Sequence, residues 1–162
     1  MRIVELIIDE SDEQSGIEAV SLVETPAIEE NFIALNKQQI LLKEVDKEKR
    51  ILMGAALVPN KQIYRRNEKT NDEYYIYFSK DTVRKASELF FKRSNHKNAT
   101  YEHKQPIKGT TIVESWIVEN TKKDKSAHYG LNVPEGTWMI SMKIDDAELY
   151  NKAKEGEIKG FS

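Results

Sequence analysis

The sequence predicts an α+β domain built on a mostly antiparallel sheet or barrel flanked by helices, and three observations carry that prediction. Stretches with strand-like apolar patterning outnumber helical ones, at least six against three. The two kinds of element follow no strict β–α–β alternation, which argues against a parallel doubly wound sheet. The chain's 162 residues, 39% of them apolar, suffice to bury one core.

Taken in order, Arg2-Ile-Val-Glu-Leu-Ile-Ile-Asp9 reads as a strand, and the acidic stretch Glu10 to Gly16 as a loop. Residues 1–20 are therefore expected to be an N-terminal strand and acidic loop, loosely attached to a main domain over 21–162. Thr25-Pro26 supplies the N-cap and first position of a short helix ending near Asn36, because proline needs no amide partner in a first turn. Leu41–Val45 and Arg50–Val58 form two apolar runs around the polar gap Asp46–Lys49, which predicts a β-hairpin whose second run stops at Pro59-Asn60. Arg65–Asp72 reads as a polar loop, and the aromatic, β-branched Glu73–Phe78 as a partly buried strand. Ser79 to Asp81 offers capping oxygens for a helix through Arg93, with Val83, Ala86, Leu89 and Phe90 as its apolar stripe.

Ile112–Val118 and Thr137–Ile144 alternate. The pattern puts Ile112, Glu114, Trp116 and Val118 on one face of the first and Trp138, Ile140, Met142 and Ile144 on one face of the second, each strand with a single core face. Asn120–Ser126 is a charged connection, and Pro134-Glu-Gly136 a turn. Asp145 and Glu148 have capping-box-like spacing for a helix that ends at Gly156, and Glu157–Ser162 would be a last strand.

Composition excludes several function classes. With 25 basic and 27 acidic side chains the net charge is −2, and no dense Lys/Arg block provides a footprint for duplex nucleic acid. The longest apolar stretch, Ile51–Pro59, is too short to span a bilayer, and a mean hydropathy of −0.64 indicates wet, charged faces. Neither nucleic acid nor membrane is expected as a partner. The start has no apolar signal segment, and the absence of cysteine rules out disulfides, thiolate metal sites and a thiol nucleophile; a reducing cytoplasm is the default compartment.

The chemistry that remains is narrow. His96, His103 and His128 lack the i,i+4 spacing of a hydrolase zinc pair, and the seven glycines form no phosphate-cradling loop, so neither metal nor cofactor is expected. Adjacent carboxylates such as Asp145-Asp146 and Glu29-Glu30 fit helix N-terminal electrostatics better than acid–base work. Nucleophilic catalysis needs a serine hydroxyl, an imidazole to take its proton and amides to hold the oxyanion. All three histidines are candidate bases. His103, in Thr-Tyr-Glu-His-Lys ahead of Pro106, stands where a side chain can reach across a sheet, although an exposed loop histidine is the plainer reading. Ser162 follows Lys-Gly-Phe, where Gly160 lets another backbone come close or the strand bend. Ser115 is the rival nucleophile, but a mid-strand serine lacks the sharp turn that exposes a hydroxyl. Trp116 and Trp138 read as core or partner-facing residues, and His96, beside Asn95 and Asn98, as a polar loop residue.

Several strings together resemble a known family: Arg50-Ile-Leu-Met-Gly-Ala-Ala-Leu-Val-Pro59, Ile63-Tyr-Arg65, Tyr74-Tyr-Ile-Tyr-Phe-Ser79, Glu102-His103, Val113-Glu-Ser-Trp-Ile-Val-Glu119, Gly136-Thr-Trp138 and Gly156-Glu-Ile-Lys-Gly-Phe-Ser162. Over roughly residues 20 to 162 they resemble the XkdF-like serine proteases of tailed phages, a branch of the prohead, or capsid-maturation, proteases. The resemblance implies a herpesvirus-protease-like (assemblin-like) barrel flanked by helices, with His103 as general base and Ser162 as nucleophile. It implies protein substrates, scaffold or the scaffold-like segment of the major capsid protein, cleaved inside the prohead in the host cytoplasm, with the enzyme able to remain in the virion. No cofactor is required, and a homodimer is compatible, since herpesvirus-type relatives can dimerise. Family members continue past this serine into a third triad member, so the stretch is expected to be either truncated or the product of self-processing and can be inactive alone; upstream, Glu114 and His128 are the candidates for that role. Two alternatives stay open: a catalytically silent capsid- or scaffold-associated module that keeps the protease fold, and an unrelated small α+β binding domain.

Overall fold

The computed structural model describes residues 1–12, 15–17, 20–23, 33–34 and 49–161. In chain order the strands are β1 (Arg2–Glu5), β2 (Val20–Val23), β3 (Ile33–Ala34), β4 (Ile51–Leu57), β5 (Ile63–Arg66), β6 (Glu73–Tyr77), β7 (Ala99–Tyr101), β8 (Gln105–Ile107), β9 (Thr110–Ile117), β10 (Trp138–Ile144) and β11 (Gly160–Phe161). The helices are α1 (Lys80–Lys92), α2 (Lys125–His128) and α3 (Ala147–Lys154), with a 3-10 turn at Asn95–Lys97.

Three sheets result, in the orders β1-β6-β5, β3-β4-β10-β9 and β11-β2-β7-β8. The second is central. Its strand β10 is nearly continuously apolar, and such strands are stable only where both faces are covered. Trp138, Ile140, Met142 and Ile144 enter one core, Met139 enters another, and Ser141 is fully buried between them. The expectation of one core face per strand is thus corrected for β10. The first core is closed by α1, α3 and the β11-β2-β7-β8 sheet, through Val83, Phe90, Tyr150, Leu22, Ala99 and Phe161. The second is closed by the β1-β6-β5 sheet, through Ile63 and Ile76.

In β9 the register passes from Ser141↔Glu114 to Met142↔Ile112, which leaves Val113 as an extra residue. A bulge of one residue moves everything beyond it to the opposite face. Ile112 therefore joins the first core while Trp116 packs against the second and Val118 lies within it, rather than sharing one face as alternation predicts.

The helices follow their local chemistry. Ser79 caps α1, its Oγ accepting from the Thr82 amide at 3.3 Å, and the predicted stripe of Val83, Ala86, Leu89 and Phe90 is buried. Asp146, rather than Asp145, caps α3, accepting from the amides of Glu148 and Leu149 at 2.9 and 3.2 Å. Gly156, at φ +86°, stands where the chain leaves this helix, a conformation that favours a residue without Cβ.

Other expectations change. No closed barrel exists among the described residues, and two of the strand pairs, β1–β6 and β2–β7, are parallel. Strand alternation is common to open and closed sheets, whereas closure needs hydrogen bonds between first and last strands, which no alternation encodes. Within the helix expected over Thr25–Asn36, Ile33–Ala34 is strand β3, paired with Met53 and Leu52; the rest of that segment and the Leu41–Val45 arm of the predicted hairpin lie outside the described residues. Arg65 and Arg66 extend β5 where a loop was expected, and α2 begins within the expected Asn120–Ser126 connection. At the N-terminus, β1 pairs with β6, the Leu6 amide donates to the Tyr77 carbonyl at 2.9 Å, and Ile8 reaches the first core.

Candidate active site

His103 sits at the tip of the β7–β8 hairpin. The ladder pairs Ala99 with Ile107 and Tyr101 with Gln105, leaving Glu102-His103-Lys104 as the loop, and the Lys104 amide closes it on the Tyr101 carbonyl at 3.0 Å. Both central residues of that turn have positive φ, +50° at Glu102 and +58° at His103, the signs of a type I′ turn. Left-handed backbone costs a residue with Cβ roughly 1–2 kcal/mol. Histidine is among the types that visit this region more often, and glutamate is not. Such strain collects where function fixes a side chain's position. The Glu102 amide donates to the Leu22 carbonyl at 3.0 Å, which ties the turn to β2.

The same sheet carries Gly160 and Phe161, the residues immediately before Ser162 in sequence. Strand β2 runs parallel to β7, with Leu22 opposite Tyr101, and antiparallel to β11, with Leu22 opposite Phe161 and Val23 opposite Gly160. Leu22 and Phe161 are fully buried in the first core, so this rung is fixed from below. Two interstrand spacings of about 4.8 Å separate β7 from β11. Ser162 follows Phe161 in sequence and lies outside the described residues. His103 is exposed. Beside its turn, between the flanks of the hairpin and α3, lies a cleft of about 400 Å³ lined by Tyr101, Gln105, Ile107, Lys108, Asp146, Glu148, Leu149 and Lys152. It offers an apolar floor from Tyr101, Ile107 and Leu149 under a charged rim. The Lys152 ammonium lies 5.6 Å from the centre of the Tyr101 ring.

The remaining candidates are placed elsewhere. The Ser115 hydroxyl accepts from the Trp138 indole at 2.9 Å in the middle of β9, where the backbone makes no sharp turn. Trp138 itself is core, its ring edge-on to Phe90 at 5.3 Å. His96 is half-buried in the 3-10 turn, and His128 ends α2 with its ring edge-on to Tyr129 at 5.0 Å. Glu114 pairs with Lys125 at 2.5 Å in a cleft of about 740 Å³ on the outer side of β9. Burial pushes the Glu114 carboxyl up, but the hydrogen bond and charge of Lys125, helped by the Ser141 hydroxyl, outweigh it and hold the group below its ordinary value. Ser141 stands opposite Glu114 in the ladder but falls short of hydrogen-bond geometry, so Lys125 is the main partner. Neither Glu114 nor His128 lies on the sheet that carries His103. The larger cleft thus holds no proposed base. No group of three or more His, Asp or Glu among the described residues could hold a metal ion, and none of the described helices is long and apolar enough to cross a membrane.

Sequence reasoning missed Leu22 and the cleft residues Tyr101 and Lys152. The alternation in Val20-Ser-Leu-Val23 was a signal for a strand, whereas nothing in the sequence pairs α3 with the hairpin.

Residues 37–162 match the sequence pattern of a family described as "Putative phage serine protease XkdF". No curated protein and no solved structure matches the chain significantly. The match takes in both Glu102-His103 and the closing Gly-Phe-Ser and spans well over half of the sequence, and on that ground the chain belongs to the XkdF family of phage serine proteases.

Proposed function

We propose that this protein is a prohead serine endopeptidase, related to the herpesvirus assemblins, that cleaves scaffold or the scaffold-like segment of the major capsid protein inside the phage prohead. Ser162 is its nucleophile and His103 its general base. The single observation that carries this reading is the β11-β2-β7-β8 sheet, which joins the strained turn bearing His103 to Gly160–Phe161, the residues immediately before Ser162. Family membership supports the nucleophile type.

In the reaction the Ser162 Oγ attacks the scissile carbonyl as the imidazole of His103 takes its proton. Collapse of the tetrahedral intermediate breaks the C–N bond, and the imidazolium returns the proton to the leaving amine. Water then attacks the acyl-serine with His103 again as base, which releases the new carboxyl and restores the hydroxyl. A peptide lying along the 400 Å³ cleft would pass beside the His103 turn.

Time-resolved intact-mass spectrometry tests the proposal on the complete reading frame with the capsid protein and scaffold present. Defined fragments are expected from the wild type and not from Ser162→Ala or His103→Ala; cleavage that persists in both variants would sink it.

A further inference from the structure

We infer that β2, the strand Val20–Val23, is the spacer that sets the separation between the base and the nucleophile, with Leu22 as its positioning residue; this rests on the serine-protease reading above. The strand lies upstream of the family match, which begins at residue 37, yet it stands between β7, which leads into the turn of His103, and β11, whose last residue precedes Ser162 in sequence. Without it, β7 and β11 would have no hydrogen-bonded connection within their sheet.

The backbone geometry makes the spacing specific. The Leu22 carbonyl is turned toward β7, where it accepts from the Glu102 amide at 3.0 Å. Because N–H and C=O groups alternate sides along a strand, those of Val23 are turned toward β11, where Val23 stands opposite Gly160. One residue therefore holds the turn of the base, and its neighbour holds the strand that leads to the nucleophile. The side chain of Leu22, fully buried in the first core with Phe161 and Ala99, pins the register. A slip of one residue would turn that side chain out of the core, so the position of β2 along both neighbours is strongly determined. Displacement of a reacting group by about 1 Å costs on the order of 100-fold in rate.

The test compares Leu22→Ala and Leu22→Met with Leu89→Ala, a truncation of a buried leucine in the same core but on α1, outside this sheet. Using the complete reading frame, kcat and KM are measured on a capsid-protein cleavage-site peptide, and the His103 imidazole ¹⁵N resonances are recorded with Ser162 intact and with Ser162→Ala. Leu22→Ala is expected to lower kcat about 100-fold with KM within about twofold, while Leu89→Ala, similarly destabilised, keeps kcat within about threefold and Leu22→Met restores most of the activity. The ¹⁵N change caused by Ser162→Ala is expected to vanish in the Leu22→Ala background. Equal losses of kcat in the two alanine variants, or a ¹⁵N change unaffected by Leu22→Ala, would overturn the positioning role while leaving the protease reading intact. Wild-type protein that neither cleaves nor shows any ¹⁵N response to Ser162→Ala would overturn the protease reading, and the inference with it.

Discussion

The central sheet and the sheet that carries His103 differ in nearly every respect that decides stability. Strands β4, β9 and β10 run for seven or eight residues, and β10 is buried on both faces between two cores. Strands β7, β8 and β11 have two or three residues each, and β8 is exposed at Gln105 and Pro106. The first supplies buried apolar area, and the second supplies a strained turn and a cleft. Binding and catalytic groups are commonly held on short, accessible segments positioned by a rigid scaffold, and the proposed pair would follow that division. Local opening should therefore begin at the hairpin rather than in the central sheet.

The comparison can be broken most sharply at the proposed pair. Ser162→Ala and His103→Ala are each expected to lower cleavage by at least about 10³-fold, with urea midpoints close to wild type, since the exposed His103 contributes no core packing. Paired assays of cleavage and urea denaturation check this, and a collapsed midpoint in His103→Ala would mean that the turn is structural. The reverse pattern is expected in the central sheet. Trp138→Ala removes a fully buried indole, its contact with Phe90 and its hydrogen bond to Ser115, and should cost about 3–5 kcal/mol. The fraction that stays folded should keep its kcat, measured by active-site titration.

Smaller changes sharpen the division. Asp146→Ala removes the cap of α3, one wall of the cleft, and should cost about 1 kcal/mol in chemical denaturation. Glu102→Gly relieves left-handed backbone at the turn and should stabilise by up to about 1 kcal/mol while lowering kcat. A rise in both stability and kcat would show that the strain has no functional use. The least effect belongs to the partly exposed Glu114–Lys125 pair, which joins β9 to α2. With the Glu114 carboxyl held below its ordinary value of 4.5, its contribution is present above that pH and is lost as pH falls through the lowered folded value. Lys125→Met should flatten that acid limb by less than about 1 kcal/mol, read from melting curves across the acid range.

How much of this was legible in the sequence follows from element length. β4, β6, β10, α1 and α3 are long enough for apolar period and capping chemistry to mark them. Ala99–Tyr101 and Gln105–Ile107, with a proline in the second, are too short to show a period, so no local pattern marks the hairpin that carries His103. The bulge at Val113 changes the face of β9 without any change in local composition, and only the pairing reveals it. His103 is legible as one of three candidate bases, and the resemblance singles it out; its link to β11 through Leu22 is a long-range pairing that no local pattern encodes.

The most direct test of the central claim is labelling of the complete reading frame with a serine-directed fluorophosphonate, followed by peptide mapping. The account predicts modification at Ser162, abolished in His103→Ala although that variant stays folded. Modification at Ser115 or another serine, or labelling of Ser162 at an undiminished rate in His103→Ala, would contradict it.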